Sequence, residues 1–223
     1  MCGRFTLTID LKEIIENYGF EISYVSQIAS NYTPRFNIAP SQAVLAIAAG
    51  QKQNRLGYIN WGLKAFPKGS PIINARAETL REKKSFAKLV DQRRCLILAD
   101  GFFEWKKTHQ GKEPYYIYLQ GKKFFSMAAL WNRWKQNGEE YTGCVIITQQ
   151  APNYSNLTEI HSRMPLLLTE QGEKEWLYSS NIVLSEIVSE SQALMTQKAD
   201  WHKVSTAVNS YKNDFPEVVE PVS

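Results

Sequence analysis

Apolar and polar positions along this chain change period several times, from helical spacing to strand-like runs and back. In "LTIDLKEIIENYGF", Leu11, Ile14, Ile15 and Tyr18 share one face of a helix. Thr8 or Asp10 is placed to cap it and Gly19 to end it. "NYTPRFNIAPSQ", punctuated by Pro34 and Pro40, reads as an extended loop. "AVLAIAA" and "RLGYINWGL" read as strands joined by the polar turn "GQKQN". "INARAETLREKKSFAKLVDQR" begins irregularly and becomes an amphipathic helix through Leu80, Phe86, Leu89 and Val90.

"CLILADGFFEWKK" reads as one buried strand that emerges through a glycine into an aromatic, charged end. "PYYIYLQ" and "FFSMAALWNRW" flank "GKK" and predict a hairpin, and "EEYTGCVIITQQA" a further strand. "NLTEIHSRMPLLLT" is a loop leading into a short strand; "EQGEKEWLYSS" and "VLSEIVSESQALM" are helical. Short connections between strands favour antiparallel pairing. The pattern predicts one α+β domain over residues 1–223, a curved, mostly antiparallel sheet or open barrel covered by helices. "WHKVSTAVNSYKNDFPEVVEPVS" is expected to be an irregular tail.

Composition narrows the class only a little. Hydrophobic residues make up 43% and charged residues 22%, as in ordinary soluble domains. There is no apolar run long enough for a membrane helix and no basic-then-apolar leader pattern, so the cytosol is the expected location. A net charge of +4 is too small for a dedicated nucleic-acid protein, so any such contact must come from local placement. The three histidines, His109, His161 and His202, show no ligand spacing, so no metal and no cofactor are expected. His109 and His202 read as surface residues. Cys95 and Cys144 sit in apolar runs and read as inert core thiols. Cys2 stands outside such a run, beside the start of the chain.

Four stretches combine reactive side chains with irregular backbone. They are "MCGRF" (Cys2, Arg4), "INARAET" (Asn74, Arg76, Glu78), "ADGFFEWKK" (Glu104, Trp105) and "EIHSRMP" (His161, Arg163). Each has an ordinary structural reading. A lone histidine is usually satisfied, a glutamate beside tryptophan and lysines usually ends a solvated strand, an asparagine usually caps a turn, and arginines are usually solvated or paired. Together with "FNIAP", however, the four resemble, in identity and order, the motifs of the SRAP (SOS response-associated peptidase) family, also described as abasic-site processing proteins. The similarity runs from residue 2 to about residue 170.

That resemblance implies a chemistry for Cys2. An abasic site is in equilibrium with a ring-opened aldehyde. An amine condenses with the aldehyde to a Schiff base, and a neighbouring thiol then closes a five-membered thiazolidine. Only an N-terminal cysteine, exposed by loss of Met1, carries both groups at this spacing, and the second step is intramolecular. The α-amine needs little adjustment to be unprotonated near neutral pH. By the same resemblance Glu104 holds the amine and shuttles its proton, His161 acts as acid and base at the sugar oxygen, and Asn74 binds the trapped sugar.

The implied partner is single-stranded DNA, or a single-strand/duplex junction, containing an abasic site, bound by a monomer that associates with the nucleoid. Arg4, Arg76 and Arg163 are expected on phosphates. Asn37 is expected on the DNA, and Pro40, Trp61 and Phe66 along the bases. Two other readings remain open at this point: a thiol peptidase or amidohydrolase using Cys2, His161 and Asn74, and a non-catalytic single-strand-binding module.

Overall fold

The computed structural model describes residues 2–51, 53–63, 70–136, 138–153 and 156–222. In chain order the N-terminal half holds β1 (Arg4–Leu7), α1 (Leu11–Tyr18), α2 (Ile22–Ala29), β2 (Arg35–Ile38), β3 (Ala43–Ala48), β4 (Arg55–Trp61), β5 (Asn74–Arg76), α3 (Lys84–Gln92) and β6 (Arg94–Ala99). The rest holds β7 (Gly101–Thr108), β8 (Gly111–Leu119), β9 (Phe125–Gln136), β10 (Glu139–Gln150), α4 (Leu157–Ile160), β11 (Arg163–Pro165), β12 (Leu167–Leu168), α5 (Glu170–Tyr178), α6 (Leu184–Lys198) and β13 (Ala199–Lys203).

The expected α+β, mostly antiparallel architecture is present, and five strands close a ring in the order β10-β4-β3-β6-β9. Closure runs through one parallel contact, where Gly143 and Cys144 of β10 lie beside Asn60 and Trp61 of β4. A Cβ at Gly143 would stand 2.3 Å from the Gly62 carbonyl, so glycine permits that approach. Strand β6 reads RCLILA and is buried from Cys95 to Ala99, because the ring interior covers one face and helices α3 and α5 pack on the strand from outside. A second sheet, β13-β8-β7-β1-β2, stands against the ring.

Helix α1 forms where its apolar spacing predicts, with Asp10 accepting from the Lys12 amide and Gly19 at φ 66° ending it. Helix α2 carries no counterpart in the sequence reading. Three expectations change. Residues Arg35–Ile38, taken for loop, form strand β2, which pairs with β1. "CLILADGFFEWKK" is two strands in two sheets, broken at Asp100, whose carboxylate takes hydrogen bonds from Thr6 and from both the amide and hydroxyl of Thr8. "GKK" does not close a hairpin: β8 pairs with β7 and β13, whereas β9 pairs with β6, β10 and β12. In both cases the chain crosses between layers, which a local turn signal does not report.

The C-terminal stretch, expected to be irregular, begins as β13 and continues as a strap over the second sheet. Val204, Val208 and Val218 bury against Phe103 in a small core of their own. Asp214 receives Arg35 and the amides of Phe36 and Asn37. His202, expected at the surface, is half-buried beside Tyr116 and Tyr118, with Nε2 2.7 Å from the Val219 carbonyl. No helix among the described residues is long and apolar enough to cross a membrane.

Candidate active site

Strand β10 gathers most of the site. Thr148 pairs on one side with Arg76 of β5 and on the other with Pro165 of β11. These pairings bring the "INARAET" and "EIHSRMP" stretches to one end of the ring. Helix α4, which ends at His161, is tied to β7 by an ion pair between Lys106 and Glu159 at 3.2 Å. Strand β1 pairs with β7 and places Arg4 opposite Phe103, next to Glu104.

Cys2 is fully buried, so it does not lie on a frayed chain end. Its carbonyl accepts a 2.7 Å hydrogen bond from Asn74 Nδ2, and its Sγ points to the Arg4 carbonyl at 3.8 Å. Asn74 Oδ1 is also buried and takes no hydrogen bond among the described residues. Burial first, and then the Glu104 carboxylate, push the Cys2 thiol far above its ordinary range, against a smaller opposing pull from the chain's terminal amine. The thiol is therefore neutral near pH 7.

Glu104 is 2% exposed. Burial raises its carboxyl from 4.5 to about 7, and a hydrogen bond with the Trp105 backbone pulls the other way. A carboxyl with that value exchanges a proton readily near neutral pH.

His161 Nδ1 lies 3.0 Å from the amide nitrogen of Arg163 and 3.1 Å from its carbonyl oxygen. The ring is half-buried. Burial lowers its pKa most, the terminal amine, Lys107 and Arg163 lower it further, and the Arg163 backbone raises it. The Glu104 carboxylate acts on the Cys2 thiol, Asn74 bonds the Cys2 carbonyl, and the Lys106–Glu159 pair ties the helix that ends at His161 to the strand that carries Glu104. The four residues expected to carry chemistry are thus brought to one end of the ring.

The residues expected on DNA separate into groups. Arg76 is exposed at the end of β5 and forms no ion pair among the described residues. Pro40 is half-buried. Arg4 has its fork filled by Asn37 Oδ1 at 2.8 Å and by the Val208 and Asn209 carbonyls at 2.7 and 3.0 Å. Arg163 forms a bidentate pair with Glu78 at 3.1 and 3.0 Å and donates to the Thr148 carbonyl at 2.7 Å.

Two expectations are corrected outright. Asn37 is fully buried, its amide donating to the carbonyls of Val208, Ser210 and Asn213. Trp61 is fully buried, packed on Phe5 with ring centroids 5.1 Å apart and bonded through Nε1 to the Ile73 carbonyl. Neither can meet a base. Phe66 falls outside the described residues. Cys95 and Cys144 are buried, as expected.

Sequence reasoning left Glu78, Trp105 and the strap residues Asn209, Asn213 and Asp214 without a role. Glu78 stood in a motif already singled out, and its partner was the missing information. Trp105, whose indole donates to Asn209 Oδ1 at 2.8 Å, links β7 to the strap. Asn209, Asn213 and Asp214 give the strap an Asx-rich signature that signals turns, not partners.

A buried cysteine at position 2, bonded through its carbonyl to Asn74 and acted on by the Glu104 carboxylate, sits beside a closed five-strand ring with a second sheet. The family model for SOS response associated peptidase (SRAP) matches residues 1–211. The chain belongs to that family. It is 40% identical over 227 residues to the abasic site processing protein YoqW of Bacillus subtilis, with 99% of each chain covered. It is 32% identical over the full length of both chains to the abasic site processing protein YedK of Escherichia coli. A crystal structure of a Bacteroides thetaiotaomicron protein, 28% identical, superposes over the whole of both chains with a TM-score of 0.81.

Proposed function

We propose that this protein captures abasic sites in single-stranded DNA, or at single-strand/duplex junctions, by forming a covalent bond through Cys2 once Met1 has been removed. The names of its relatives support the substrate class. The observation that carries the reading is the Asn74 bond to the buried Cys2, with the buried Glu104 carboxyl close enough to act on its thiol. The freed α-amine attacks the aldehyde carbon, and loss of water gives the Schiff base. The thiol then adds through sulfur to the C=N carbon, its proton passes to nitrogen, and the thiazolidine closes with no further leaving group.

Glu104, with a carboxyl near 7, takes the proton the attacking ammonium must lose and returns it to the departing hydroxyl. His161 serves the sugar oxygen during ring opening. Asn74, with its donor spent on Cys2 and its oxygen still unpartnered, accepts from a sugar hydroxyl. The neutral thiol favours the amine as first nucleophile. It weighs against a thiolate peptidase, as does Asn74 binding Cys2 while the Arg163 backbone holds His161 Nδ1. The protein acts as a monomer in the cytosol and joins the nucleoid through its substrate. In a variant that keeps the amine but lacks the thiol, the Schiff base persists long enough to permit strand cleavage by β-elimination.

Intact-mass spectrometry before and after exposure to an abasic oligonucleotide tests this. The expected result is loss of Met1, followed by a heat-stable adduct that Cys2→Ala does not form. A stable adduct from Cys2→Ala, or an equal yield from protein with a blocked N-terminus, overturns it.

A further inference from the structure

A cavity beside Pro40 has no part in the reading above. Strand β9 stops pairing with β6 at Leu130, and it continues with β10 as a two-stranded ribbon. On one face of the ribbon the cross-strand partners Trp134 and Tyr141 stack, with ring centroids 6.2 Å apart and planes 17° from parallel. They and Thr142, with Ser41, Asn60 and Pro71, line a cavity of about 270 Å³.

The lining suits a flat, neutral ring. None of its residues carries a charge, and the Tyr141 hydroxyl is spent on the Glu139 carboxylate, so a phosphate finds no partner there. The side chains of Ser41, Asn60 and Thr142 form no hydrogen bond among the described residues. A few unspent polar groups around an aromatic wall are the usual make-up of a small-ligand site. The volume falls just below the roughly 300–1,000 Å³ of pockets for larger ligands and fits a single ring system.

Ser41 is a second sign. It follows Pro40 in a turn closed by the Gln42 amide on the Ala39 carbonyl at 3.3 Å, and its φ is 70°. Proline holds the first central position at negative φ, so this is the type II arrangement, whose second central position ordinarily goes to glycine or asparagine. Ser41 is the only non-glycine residue at positive φ among the described residues. It bears a strain that glycine would avoid, and it puts a hydroxyl on the cavity wall.

Strand β10 sets the distance to the reacting corner. Ile146 pairs with Asn74, and Thr142 stands earlier on the same strand, about 13 Å away at the rise of a β-strand. A single strand held at Cys2 covers that distance in about four nucleotides or fewer. We propose that the cavity is a subsite for an unpaired nucleobase of the bound single strand, a few nucleotides from the abasic position, stacked on Trp134 and edged by Ser41, Asn60 and Thr142. Stacking accepts any base, because every base has a π-face.

This rests on the substrate class proposed above, and the test reads affinity apart from covalent capture. Full-length wild type, Trp134→Phe and Trp134→Leu, all lacking Met1, are titrated with single strands carrying a reduced abasic analogue, which has no aldehyde. In successive strands one further base is omitted, stepping outward from the analogue on either side. In wild type, omission at one position within about four nucleotides weakens binding on the order of tenfold. In Trp134→Leu that strand and its complete counterpart bind alike, whereas in Trp134→Phe most of the difference survives.

No position-specific penalty in wild type overturns the subsite. So does a penalty of equal size in Trp134→Leu, which would leave Trp134 as packing for the ribbon. A measurement on wild type alone covers the case in which Trp134→Leu does not fold: 2-aminopurine at the sensitive position is quenched on binding, and unchanged emission overturns the proposal. If the penalty appears as described but wild type forms no adduct with a natural abasic strand, the subsite stands and covalent capture fails. If the adduct forms and no omission matters, capture stands and the subsite fails.

Discussion

The corner around Cys2 and the rim around Arg163 are built from neighbouring strands and hold their side chains by opposite means. In the corner, removal of water is the largest influence: it pushes the Cys2 thiol and the Glu104 carboxyl up and favours their neutral forms. At the rim, opposite charges are paired, Arg163 with Glu78 and Lys106 with Glu159. The corner thus suits a neutral nucleophile and an acid that changes state near pH 7. The rim provides fixed geometry, with Arg76 left exposed.

The sharpest way to break this contrast is Glu104→Gln, which keeps the shape and removes the titration. Adduct formation should fall by about 10²-fold or more, read from initial rates with abasic single strands. Stability should move the other way. The folded carboxyl binds its proton up to about pH 7, whereas its unperturbed value is 4.5. The destabilisation from the raised value is therefore absent below about 4.5, grows between 4.5 and 7, and levels off above 7 at about 3 kcal/mol. Glu104→Gln should melt above wild type at pH 8 and lose that advantage at pH 4. Equal pH dependence of the two melting curves would refute a carboxyl held neutral by burial.

A smaller effect is expected behind the corner. Trp61→Phe keeps a ring against Phe5 and removes one of the donors to the Ile73 carbonyl, which keeps the Ile146 amide. Denaturant unfolding should show a loss of about 0.5–1.5 kcal/mol. The affinity for intact single strands should hold, because Trp61 is buried and cannot stack on a base. A large change in affinity with unchanged stability would return Trp61 to the interface.

The smallest effect belongs to the rim. Arg76→Ala should weaken binding to single strands several-fold and reduce the salt slope by about one, regardless of whether an abasic site is present. A defect confined to abasic strands would instead place Arg76 inside the corner.

Much of the candidate site was legible through the family resemblance, because Cys2, Asn74, Glu104 and His161 each stand in one of its short motifs. Burial was not legible for polar or amphipathic residues. Asn37 and Trp61 stand in sequences that suit an exposed loop and a strand end, and both are covered, one by the strap and one by Phe5. Nor was it legible which arginine is free. Arg4, Arg76 and Arg163 look alike in the chain and differ in what lies across from them: strap carbonyls, no ion-pair partner among the described residues, and Glu78.

The fold divides in the same way. Periodicity fixed α1 with its cap and the β3–β4 pair, because helix faces and strand runs are local consequences of side-chain direction. It also carried the class, α+β and mostly antiparallel. Only the tertiary structure decided that the ring closes through a parallel contact, that Asp100 divides one apolar run between two sheets, and that the C-terminal stretch is a strap. These outcomes depend on which surface a segment finds for its apolar side chains and backbone carbonyls. That choice is made among residues up to 205 positions apart, such as Arg4 and Asn209, and no local pattern encodes it.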